Sequence, residues 1–171
     1  MKKWIIALAA SVLTGCGEEA PKALADLSRD ITGVASSEVA GKKLLEFSMR
    51  PSSRSSNANY FFQATSEINH ILPKLLQYFP EERSDLIFFT LSADLTDKFG
   101  NVKGEPVIQV SFKAEDVKKI NYKGGQFSSW SLLNLANNVE FLHPAGSTIV
   151  SDYCQDKDSI EYANRFCQRY N

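Results

Sequence analysis

The sequence predicts an α+β fold: a small antiparallel sheet in the order strand, helix, strand, strand, with a long helix packed on one face and a further helix at the C-terminus. Three observations predict it. Lys43 to Met49 alternates apolar and polar residues, Tyr60 to Phe79 switches to the period of a helix, and Asp85 to Phe112 returns to strand periodicity on either side of a turn-forming pentapeptide. A sheet with the long helix across one face buries all three stripes.

Gly17 to Gly41 is rich in Ala, Ser and Glu, which suits a tether. Within it Leu24, Leu27, Ile31 and Val34 recur at three and four residues after Pro21, with Gly33 interrupting them. That spacing predicts a short amphipathic helix, with a disordered leash as the alternative. In Lys43 to Met49, Leu45, Phe47 and Met49 face one way and Leu44, Glu46 and Ser48 the other, giving a half-buried strand closed by Pro51. Ser52 to Asn59 is a polar loop. Phe61, Ala64, Ile68, Ile71, Leu72, Leu75 and Phe79 then form a broad apolar stripe. Pro73 inside it predicts a kink or a second short helix, because proline lacks an amide hydrogen and its ring meets the preceding turn.

Asp85 to Leu95 and Glu105 to Phe112 pair as a hairpin around Asp97-Lys98-Phe99-Gly100-Asn101. Ile87, Phe89, Leu91 and Ala93 share one side of the first strand, and Ile108, Val110 and Phe112 alternate with Gln109 and Ser111 in the second. Leu86 and Phe88 on the opposite side mark a central strand. Ala114 to Ile120 predicts one or two helical turns, Tyr122 to Ser129 a loop, and Trp130 to Val139 a helix. Val139 to Leu142 and Ser147 to Val150 predict short strands around the turn His143-Pro144-Ala145-Gly146. A final helix is capped by Asp158 with Glu161 three residues on, and Ile160, Ala163, Phe166, Cys167 and Tyr170 form its inner face.

The N-terminus carries an address. Lys2 and Lys3 form a positive region, Trp4 to Leu13 a short apolar one, and small residues precede Cys16, the layout of a secretory signal. The apolar run falls short of the about 20 residues a bilayer-spanning helix needs. Leu13-Thr14-Gly15-Cys16 resembles the lipobox of bacterial lipoproteins. The resemblance covers these four positions and implies a diacylglyceryl thioether on Cys16, cleavage after Gly15 and acylation of the new amino group. Gly17, where lipoproteins kept in the inner membrane often have Asp, favours the outer membrane, with the protein facing the periplasm. The organisation expected is a cleaved signal over 1–15, a lipidated N-terminus and tether over 16–41, and one periplasmic α+β domain over 42–171. Each buried methylene contributes about 0.8 kcal/mol, so two or more acyl chains hold the mature protein on its membrane.

Cleavage removes Lys2 and Lys3 and takes the formal net charge from −1 to −3, which excludes a nucleic-acid-binding balance. With Cys16 lipidated, Cys154 and Cys167 remain as an even pair in an oxidising compartment, and a disulfide between them is expected. Two free buried thiols are the alternative.

No sequence motif for a serine elbow, zinc protease, phosphate loop or calcium loop is present, and no cofactor or metal is expected. His70 and His143 are the only histidines, and Asp94, Asp97, Glu105 and Asp116 group around the hairpin. His143 and these carboxylates are the candidates for an envelope hydrolase; His70, beside the apolar stripe, reads as a surface or satisfied histidine, and the structural alternative for the carboxylates is a solvated turn and helix start. Tyr122, Phe127 and Trp130 sit in or beside the glycine-containing loop. If exposed they stack on sugars or anchor a protein partner; the structural alternative puts Trp130 in the core. The function expected is a membrane-anchored binding or structural component of an envelope assembly. A small hydrolase of cell-wall or ester substrates, and a glycan or small-ligand binder, are the alternatives.

Overall fold

The structure, a computed structural model, describes residues 19–51, 55–124 and 127–170. The lipobox lies outside the described residues. Five strands form one sheet: β1 (Ile31–Val39), β2 (Lys42–Met49), β3 (Leu86–Thr96), β4 (Val102–Lys113) and β5 (Asn138–Phe141), side by side in chain order. The helices are α1 (Asn57–Tyr78), α2 (Ala114–Val117), α3 (Ser129–Asn134), α4 (Pro144–Gln155), α5 (Lys157–Tyr162) and α6 (Asn164–Tyr170), with 3-10 turns at Leu24–Leu27 and Tyr122–Gly124.

This corrects the small three-stranded antiparallel sheet expected from the sequence. The sheet is mixed: β1 with β2, β3 with β4 and β4 with β5 are antiparallel, while β2 and β3 are parallel. The parallel step follows from α1, because a helix crossing between neighbouring strands returns the chain to the edge where the first strand began.

Residues expected in the tether form β1, which pairs with β2 through a two-residue turn at Ala40 and Gly41, both at positive φ (52° and 75°). The pattern was misleading because β1 is an edge strand whose residues are mostly exposed, so it has no buried face to impose alternation. Only Leu24–Leu27 is helical there, as a single turn with Leu27 buried.

One face of the sheet is apolar. Leu45, Phe47 and Met49, then Ile87, Phe89, Leu91 and Ala93, then Ile108, Val110 and Phe112 are all buried in the core with the inner stripe of α1. Phe47 stacks on Phe89 at 5.2 Å, and Phe89 meets Phe112 edge-on at 6.1 Å. The other face carries Leu44, Leu86 and Phe88 at one end and is polar beyond them: Thr90 Oγ1 and Gln109 Nε2 both donate to Glu46 Oε1, at 2.7 and 3.3 Å. Near Leu91 and Ser92 the β3–β4 register shifts, and Val107 is the extra, fully buried residue of β4.

α1 starts at Ser56, whose hydroxyl accepts from the Asn59 amide at 3.1 Å, and it runs through Pro73 as one element rather than two. Ser147 to Val150, expected as a strand, belongs to α4. His143 caps that helix, its Nδ1 accepting from the Ala145 amide at 3.0 Å, and Pro144 fits the first turn, where no amide hydrogen is needed. The expected single C-terminal helix is two, α5 and α6, parted at Ala163. Asp156, not Asp158, caps α5, and Ile160, assigned to the inner face, is 51% exposed. Phe166 is buried against Phe61 and Tyr153. Cys154 and Cys167 form a disulfide that ties α4 to α6.

Candidate functional site

Three helix ends meet where α1 begins. Ala58, Asn59 and Phe62 occupy one narrow face of its first turns, Trp130 comes from the start of α3, Tyr153 from the last turn of α4, and Asp156, Asp158 and Ser159 from the cap and first turn of α5. With Ser56 they line a cleft of about 350 Å³.

Each wall is held by local chemistry. Ser128 caps α3, its hydroxyl accepting from the Ser131 amide at 3.3 Å, and so fixes the helix that carries Trp130. Ser129 and Ser66 hydroxyls, 3.0 Å apart, bind α3 to α1. The Trp130 ring is tilted against Phe62 and against Tyr162, with centroids at 5.1 and 5.4 Å. Asp156 Oδ1 accepts from the amides of Asp158 and Ser159 at 3.0 and 3.3 Å, which sets the first turn of α5 at the rim.

Two polar atoms are conspicuous at this end of the molecule. Trp130 Nε1 and the Tyr153 hydroxyl are buried and make no hydrogen bond among the described residues. Burial pushes the Tyr153 phenol up to about 12, with the neighbouring Ser159 hydroxyl pulling against it, outside hydrogen-bonding geometry, and the Asp156 carboxylate adding to the rise. The exposed Tyr162 phenol is raised as well, by Glu161 first and more weakly by Asp158.

The three aromatic residues singled out in the sequence do not form one patch. Trp130 belongs to the cleft, whereas Tyr122 and Phe127 pair edge-on with each other at 6.0 Å and are not part of its lining. All three are half-buried. Burial also raises the Tyr122 phenol, whose hydroxyl is unbonded among the described residues.

The other candidates are placed separately. His143 is engaged as the α4 cap, and His70 is exposed with its Nδ1 4.0 Å from Glu67. The hairpin carboxylates each have a local partner: Asp94 with Arg50, Glu105 with Lys103 at 2.6 Å, and Asp97 with the amides of Phe99 and Asn101 at 2.8 and 2.9 Å. The Asn101 side chain, then its amide, holds the Asp97 carboxyl below the usual carboxylate range. Asp116 lies on α2, at the far end of β3 and β4 from the hairpin tip, so these four do not converge. Among the described residues no group of three or more His, Cys, Asp or Glu is arranged to hold a metal ion. Nor is any helix among them long and apolar enough to cross a membrane.

Sequence reasoning missed Phe62, Asn59, Tyr153, Asp156, Asp158 and Ser159. One signal was available: Ala58 and Phe62, four apart and beside the main α1 stripe, mark a second apolar strip that must face something. No protein family, curated protein or solved structure matches this chain.

Proposed function

We propose that this protein is a bacterial lipoprotein, anchored through lipid on Cys16 and facing the periplasm from the outer membrane, that acts by binding, as an accessory component of an envelope assembly. The observation that carries the reading is Leu13-Thr14-Gly15-Cys16 behind a basic and apolar leader. The Cys154–Cys167 disulfide supports it, since such bonds persist in oxidising compartments.

The fold adds a polarity that suits the role. Glu19, Pro21 and Asp26 share a shallow depression with Lys74 and Tyr78, on the last turns of α1. The Trp130 cleft is at its first turns. At 1.5 Å of rise per residue, Asn59 and Tyr78 are about 29 Å apart along the helix axis. Chain leaving Cys16 enters the body at one end, and the cleft opens at the other. A binding site so placed faces away from the membrane, and the cleft favours a small ligand as its occupant.

Mass spectrometry and metabolic palmitate labelling test the anchor. Wild type is expected as a product starting at Cys16 with acyl chains attached, recovered with outer membranes, and Cys16→Ala as an unlabelled, unprocessed or soluble chain. A Cys16→Ala product of mature mass held firmly in the membrane fraction would overturn the reading.

A further inference from the structure

We infer that the Trp130 cleft binds small organic cations, protonated amines with a compact apolar body, between the carboxylates of Asp156 and Asp158 and the aromatic wall of Phe62 and Trp130. This narrows the binding role proposed above and rests on it.

Charge selects the class. Among the described lining residues two are carboxylates and none is cationic; Lys157, between them in α5, is exposed and lies outside the lining. Neither Asp156 nor Asp158 belongs to an ion pair among the described residues. Asp156 spends Oδ1 on the two amides it caps, and Oδ2 bonds nothing among the described residues. An anion entering here would be repelled, and a neutral molecule would leave the charges unused.

Carboxylates at a helix start are common and alone say little. What distinguishes these is their company. The faces of Phe62 and Trp130 carry negative charge density that attracts a cation, and their hydrocarbon bulk covers its apolar body. Tyr153, 1% exposed, lines the same cleft with a hydroxyl that no described residue bonds, so it has lone pairs to offer. An ammonium group brings up to three donors, which matches oxygen acceptors on Asp156, Asp158 and Tyr153. The cleft's volume of about 350 Å³ lies at the lower end of small-molecule sites, which sets the ligand's size.

Trp4 and Trp130 are the only tryptophans, so a Trp4→Phe full-length protein in detergent micelles has one emitter, in the wall of the cleft. Its fluorescence is titrated at pH 7 with n-butylamine and isobutylamine, and with n-butanol and butyrate as the neutral and anionic counterparts. Both cations are expected to give a saturable change, n-butanol to bind at least about tenfold more weakly, and butyrate to give none. Asp156→Asn with Asp158→Asn keeps a good helix cap and is expected to weaken amine binding about tenfold or more. Asp158→Asn alone leaves the cap untouched and is expected to weaken it by a smaller factor. Absence of a saturable response, equal binding of n-butylamine and n-butanol, or undiminished amine binding by the folded double variant would overturn the inference. Palmitate on Cys16 is scored in the same preparation, so loss of amine binding by a lipidated protein fails this inference alone, and amine binding by an unlipidated protein fails the anchor alone.

Discussion

Gly146 is placed where any side chain strikes backbone: a Cβ built there meets the Val107 carbonyl oxygen at 2.1 Å and Ile108 Cγ1 at 3.0 Å. Val107 is the bulged residue of β4, and its oxygen also accepts from the Leu142 amide at 3.0 Å, so it has little freedom to withdraw. Gly146→Ala is expected to cost about 1–3 kcal/mol, read as a lower urea midpoint with an unchanged slope. Tyr153 makes a second prediction, for alkaline pH. Below pH 10 the folded and unfolded chains both keep the phenol proton, and the whole contribution to stability is present. Between about 10 and 12 the unfolded chain loses that proton while the folded chain holds it, so stability falls as pH rises. Tyr122 acts in the same direction. Thermal melts from pH 9 to 12 are expected to decline less steeply for Tyr153→Phe than for wild type. At this scale the sequence is most legible where a residue has one dominant use. Cys154 and Cys167 were expected to pair and do; Trp130 has two uses, core and cleft wall, and no spacing rule separates them.

Among the elements, α1 is the one with a built-in cost. Pro73 has no amide hydrogen to offer the carbonyl four residues back, at Asn69, whose side-chain oxygen is also buried and unbonded among the described residues. Pro73→Ala is expected to raise the melting temperature, by an amount corresponding to about 1–3 kcal/mol, partly offset by the looser unfolded chain. Cys154 and Cys167, 13 residues apart, close a loop around α5. Replacing both with Ser is expected to cost about 3 kcal/mol and to make melting insensitive to reductant, whereas wild type loses stability when reduced. Element type was legible wherever one face is buried: α1, β2, β3 and β4 lie where periodicity puts them. It fails for β1, whose exposed sides impose no alternation, and for α4, because the sequence His143-Pro144 suits a turn and equally a capping side chain followed by proline at a helix start. The cap of α5 was misplaced by two residues because Asp156 and Asp158 are equivalent as letters and differ only in backbone.

For the whole molecule, the sheet order is set by contacts far apart in sequence, and that is why it escaped a local pattern. β4 and β5 pair across α2 and α3, and β1 reaches the sheet only through its hairpin with β2. The candidate site was hidden for the same reason. It collects short pieces of α1, α3, α4 and α5 that no window of sequence contains together. Of the three aromatic residues singled out in or beside the glycine-containing loop, only Trp130 belongs to the site.

The early start of the fold has a mechanical consequence. The body begins well before Gly41: Glu19 and Pro21 already share a depression with Lys74 and Tyr78, and the amides of Lys22 and Ala23 bond the Asp26 carboxylate at 3.0 and 2.8 Å. At 3.3–3.6 Å per residue the three steps from Cys16 to Glu19 span at most about 11 Å, against about 85 Å had the chain stayed loose to Gly41. On the lipid anchor proposed above, a protein with so short a lead would search in two dimensions. It would slide with the lipid leaflet and meet only what passes within its own length of the surface, at the high local concentration that confinement gives. Inserting thirty Gly and Ser residues between Gly17 and Glu18 is expected to leave the melting temperature unchanged and to lower in-cell crosslinking to membrane-bound neighbours, a result that separates a surface-bound partner from one free in the fluid above it.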